Sequence, residues 1–75
     1  MTVEQFRGTM RAQPFRPFRL HLADGGVLDV QHPGFASSTP GGRTLVVYTG
    51  EETFQIVDLL LVSRIEILNG QAATR

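Results

Sequence analysis

The chain has 75 residues, among them seven arginines, no lysine, no cysteine and seven acidic residues, for a formal net charge of zero with 41% apolar content. That length holds one small domain and excludes an eightfold α/β barrel, which takes ~200 residues or more, as well as a doubly wound sheet. Without cysteine there is neither a disulfide framework nor a thiolate metal site, and no run of about 18 apolar residues is present to span a membrane.

Thr2-Val3-Glu4-Gln5 fits a capping box, in which the Thr2 hydroxyl accepts from the Gln5 backbone and the Gln5 side chain reaches back to Thr2. Val3, Phe6 and Met10 follow at spacings of three and four, so a helix over about 3–13 presents one apolar stripe. Pro14 ends it and pushes Gln13 toward extended geometry. A helix this short is marginal in isolation and must dock that stripe on other structure.

The remainder reads as β-structure. Phe18, Leu20 and Leu22 alternate with Arg19 and His21, the pattern of a half-buried strand over 18–23. Asp24-Gly25-Gly26 supplies a tight turn into a second strand, 27–32, with Leu28 and Val30 on one face. His32-Pro33-Gly34 breaks pairing, and the Pro, Gly and Ser residues of 33–43 read as a loop around Phe35. A third strand is expected over 44–49, a fourth over 53–57 and a fifth over 61–68, with one helical turn at 58–60 between the last two. In the fifth, Leu61, Ile65 and Ile67 share a face with Ser63, while Arg64 and Glu66 point outward. The expected architecture is mainly β: a short N-terminal helix and five antiparallel strands in a small bent barrel over 1–68, with a frayed tail at 69–75.

A chain of this size buries only about 60% of its unfolded surface. It nonetheless carries a dense apolar stretch at 56–62, which points to a homo-oligomer formed through an edge strand. The candidate interface residues are Phe54, Ile56, Val57, Leu59, Leu60, Val62 and Arg64.

Zero net charge conceals an asymmetry. Residues 1–20 hold Arg7, Arg11, Arg16 and Arg19 against Glu4 alone, whereas residues 21–75 hold three arginines against six acids. The cationic segment is either a set of solvated side chains or a surface for an anionic partner. Arg interleaved with Phe is the composition that clamps single-stranded RNA. The candidate nucleic-acid-binding residues are therefore Gln5, Arg7, Arg11, Phe15, Arg16 and Arg19.

Gln5-Phe6 on a capped helix, Arg11 near its end, the strand Phe18-Arg19-Leu20-His21-Leu22-Ala23-Asp24-Gly25 and the apolar ending from Ile56 to Ile67 resemble the Sm-like fold, with the bacterial Hfq proteins nearest in layout. The stretch Gln13-Pro14-Phe15-Arg16-Pro17-Phe18 with Leu22-Ala23-Asp24-Gly25 also resembles a widespread group of small bacterial proteins. The likeness spans about residues 2–68 and rests on element order and apolar spacing, which SH3-like barrels share. It implies a ring in which the fourth strand of one subunit pairs with the fifth of the next, and binding of uridine-rich RNA at subunit junctions and the arginine rim. The Tyr-Lys-His signature of that family has no counterpart, since this chain reads Thr53-Phe54-Gln55-Ile56-Val57, and Asp29 stands where a small residue is usual. A protein-interaction or structural oligomerisation module without nucleic acid is the alternative expectation.

Catalysis is not expected. His21 and His32 lack a third convergent ligand for zinc, and Ser37 and Ser38 lack a nucleophile elbow. Gly41-Gly42-Arg43 precedes a strand rather than a phosphate-cradling helix. Neither a metal nor a cofactor is anticipated. The first residues lack a basic segment followed by an apolar stretch, so no signal peptide and a cytoplasmic location are expected.

Overall fold

The computed structural model describes residues 1–68; the tail expected at 69–75 lies outside the described residues. Helix α1 runs Val3–Arg11 and is followed by β1 Phe18–Leu22, β2 Val27–Val30, β3 Ala36–Ser38, β4 Thr44–Tyr48, β5 Phe54–Asp58 and β6 Val62–Ile67, with 3₁₀ turns at Pro33–Phe35 and Leu59–Leu61. The capping box is formed: Gln5 N–H donates to Thr2 Oγ1 (3.1 Å) and Thr2 N–H donates to Gln5 Oε1 (3.0 Å). The helix stops at Arg11 rather than residue 13 because Ala12 already leaves helical geometry, with ψ 141°, two residues before Pro14.

Among the described residues there are six strands, not five, and they form two antiparallel sheets ordered β2-β1-β6 and β3-β4-β5 rather than one closed barrel. The additional strand, β3, lies inside the segment expected to be a loop. Ala36, Ser37 and Ser38 carry no strand pattern of their own, and they extend because they pair with Val47, Val46 and Leu45 of β4. At the β1–β2 turn Gly25 takes φ +93°, Gly26 N–H donates to Asp24 Oδ1 (2.8 Å), and Leu22 N–H donates to Gly26 O (2.8 Å). This is the left-handed turn geometry that the Asp-Gly-Gly sequence favours.

The buried side chains form a single cluster between the sheets and under the helix. Phe6, the one fully buried residue of α1, meets Phe18 edge-on with ring centroids 6.3 Å apart, and Leu20, Val30, Leu45 and Val47 complete the centre. Val57, Leu59 and Val62, expected at an oligomer interface, belong to the same buried cluster within the chain. The residues predicted to face inward on the last strand also change. Ile67 pairs with Phe18 and Ile65 with Leu20, but Leu22 pairs with Val62, so the register shifts by one between His21 and Leu22. Ser63 is the extra residue of this bulge, and its hydroxyl donates to His21 O (3.0 Å). Val62 thereby turns inward in place of Leu61, which is exposed in the 3₁₀ turn.

Gly42 tests how tightly the helix sits on the loop before β4. It has φ +77°, and a Cβ there would stand 3.1 Å from both Val3 methyl groups, whereas a Cβ on Gly41 meets nothing within 4 Å. Gly42→Ala is expected to lower unfolding stability by about 1–2 kcal/mol, while Gly41→Ala stays within about 0.5 kcal/mol, as read from urea midpoints.

Candidate functional site

The outward faces of the two sheets differ in chemistry. On β2-β1-β6 the outward row is polar and mutually paired. Arg19 lies opposite Asp29 on one side and Glu66 on the other. Its guanidinium donates to both Asp29 oxygens (2.7 and 3.1 Å), and His21 Nε2 lies 2.9 Å from Glu66 Oε1. The hydrogen bonds from Arg19 hold the Asp29 carboxyl below its ordinary pKa despite partial desolvation. Glu66 is likewise lowered, by its hydrogen bond to His21 and by the charges of His21, Arg19 and Arg64.

On β4 and β5 the outward row is apolar and largely uncovered. Tyr48 pairs with Phe54 and Val46 with Ile56 across β4 and β5, which sets four large side chains on one surface. Ile56 is 67% exposed and Phe54 55%, and the Tyr48 and Phe54 rings lie 6.1 Å apart. Leu60, 69% exposed, follows in the 3₁₀ turn, which is pinned where Asp58 accepts from Leu60 N–H (2.9 Å). Of the interface candidates, Phe54, Ile56, Leu60 and Arg64 are exposed; Val57, Leu59 and Val62 are not. Sequence reasoning misses Val46 and Tyr48. Alternation from Leu45 puts them on one face, but only the β4–β5 register places Phe54 and Ile56 opposite them.

The nucleic-acid candidates are not gathered on one open surface. Arg7 is half-buried and donates through Nε to Ser38 Oγ (3.3 Å) and through Nη2 to the carbonyls of Thr39 (3.3 Å) and Pro40 (3.5 Å). Its charge ties α1 to the loop after β3. Arg19 is held by Asp29, and the Gln5 side-chain oxygen closes the capping box. Phe15 is half-buried against Phe18, with centroids 6.0 Å apart. Arg11 and Arg16 are exposed and have no side-chain hydrogen bond or ion pair among the described residues. His32 stands edge-on to Phe35, with centroids 5.0 Å apart. Among the described residues no group of three or more His, Cys, Asp or Glu is placed to hold a metal ion, and no helix is long and apolar enough to cross a membrane.

Comparison with protein-family models, with curated proteins and with solved structures returned no match.

The two lowered carboxylates set a pH dependence. A carboxyl whose pKa falls on folding contributes stability above its unfolded pKa, and that contribution disappears as pH drops through the folded value. Asp29→Asn with Glu66→Gln is therefore expected to flatten the decline of urea midpoint between neutral pH and pH ~3. The difference from wild type should shrink in high salt, because both pairs face solvent.

Proposed function

We propose that this chain is a non-enzymatic β-rich assembly module that forms a homo-oligomer through the edge of β5 and the apolar face beside it. The observation that carries this reading is the surface formed by Val46, Tyr48, Phe54 and Ile56. It is uncovered, whereas the equivalent face of the other sheet carries the Arg19–Asp29 ion pair and the His21–Glu66 contact. Large contiguous apolar patches mark interaction sites, and a strand with one unpaired edge is a template for another strand. β5 and β6 each end their sheet, so each offers a free edge to a second copy. This is the pair of strands that an Sm-like ring joins between subunits, and the helix followed by short bent strands is compatible with an Sm-like or SH3-like domain. Arg64 on β6 and the exposed Glu52 ahead of β5 add opposite charges to the two edges.

RNA binding at the N-terminal segment is the second reading, and Arg11 and Arg16, exposed and unpaired, favour it. With Arg7 bound by the loop after β3 and Arg19 paired with Asp29 at the surface, two phosphate contacts would give a salt slope of about −1.4 on single strands.

Light scattering across a dilution series tests the first reading. Wild type should run as a multiple of the chain mass, and Ile56→Glu or Phe54→Ser should run as a folded monomer with an unchanged circular dichroism spectrum. A monomeric wild type at every concentration overturns it. For the second, uridine homopolymer binding should fall with salt and vanish in Arg11→Ala with Arg16→Ala, and binding that ignores salt ends it.

A further inference from the structure

A groove of about 770 Å³ runs between β2 and the β4–β5 turn. One wall is β2 and its exit, from Val27 to Asp29 and on to Gln31. The other is made by Gly34 and Phe35 of the 3₁₀ turn and by Tyr48 to Glu51 at the β4–β5 turn. β2 pairs with β1 on one side only, so its second backbone edge is unpaired. Each aromatic wall has a neighbouring ring: Phe35 stands edge-on to His32, and Tyr48 is tilted against Phe54.

The charge of the groove is one-sided. No Arg or Lys lines it, and its two acidic residues are Asp29 and Glu51. Asp29 is neutralised by Arg19. Glu51 has no side-chain hydrogen bond or ion pair among the described residues, nor has the adjacent exposed Glu52. The groove therefore combines an open strand edge, apolar lining with two aromatic rings and a negative end without a cationic partner among the described residues.

We propose that this groove binds an extended peptide segment of another protein that alternates apolar and basic side chains, laid along β2 as an added strand. Main-chain hydrogen bonds to the free edge supply the pairing common to strand addition. An apolar side chain fits between Phe35 and Tyr48, and an Arg or Lys reaches Glu51 across the Tyr48 ring, where a cation is favoured. An anionic partner such as RNA would meet only repulsion there. The groove shares Tyr48 with the apolar face of β4 and β5, but the peptide pairs with the β2 edge and leaves the β5 edge to a second copy.

Titration of the ¹⁵N-labelled full chain with a short capped peptide of alternating Arg and Val tests it, with the Glu-Val peptide as control. The Arg-Val peptide should shift amides within 27–31, 34–35 and 48–51, and the Glu-Val peptide should shift none of them. Glu51→Lys should weaken Arg-Val binding by about fivefold, as one exposed attraction becomes a repulsion. Phe35→Ser should abolish it while keeping the wild-type oligomeric mass. Ile56→Glu should still bind, which separates this groove from the assembly surface. Equal responses to the two peptides, shifts confined to other residues, or no shift overturn the proposal.

Discussion

The contact between Phe6 and Phe18 is the constraint from which the rest of the arrangement follows. Phe18 sits on β1, the one strand of its sheet paired on both sides, and its ring is fully buried. A helix of nine residues does not persist alone in water, and burying an aromatic ring at its centre is worth about 1.5–3 kcal/mol. Once Phe6 is seated there, the rest of the helix is oriented. Arg7 is carried over the loop at 38–40 and Val3 over Gly42. The helix thus touches one sheet through Phe18 and the other through the segment joining β3 to β4.

That bridging role accounts for much of the charge asymmetry along the chain. The cationic first segment suggests a surface offered to an anion, yet Arg7 is engaged by a hydroxyl and two carbonyls and Arg19 by a carboxylate from β2. These charges stitch elements together. What remains open is divided by sheet: paired ions on one outward face, uncovered aromatic and aliphatic side chains on the other, and a groove with a free carboxylate at its end. A domain with so small a core gains little by hiding Phe54 and Ile56 within itself, because the two sheets have only one shared interior to fill.

Several features were legible from local sequence because their physical causes are local. The capping box needs only Thr2 and Gln5 three residues apart, and the first hairpin needs only Asp-Gly-Gly between two alternating runs. The alternation of Phe18 and Leu20, and of Leu28 and Val30, assigned their inward faces correctly. Asp58 at the head of a short turn was visible for the same reason, although the turn itself lies at Leu59–Leu61.

Where a residue's role depends on a partner far along the chain, the sequence was silent or misleading. β3 exists because β4 offers it a register, and Ser37 by itself prefers nothing. The bulge at Ser63 was invisible, so Leu61 rather than Val62 was assigned to the interior. The stretch from Ile56 to Val62 shows that apolar side chains are abundant there, but composition does not divide them between core and surface. So the sequence by itself determined the helix start, the first hairpin, the mainly β character and the excess of apolar residues near the end. The tertiary structure alone decided the split into two sheets, which of the described arginines are engaged and which apolar residues face solvent. The reason is that capping and turn signals act over two to four residues, whereas the register that decides a side chain's face is set by pairing with a strand that the local pattern does not contain.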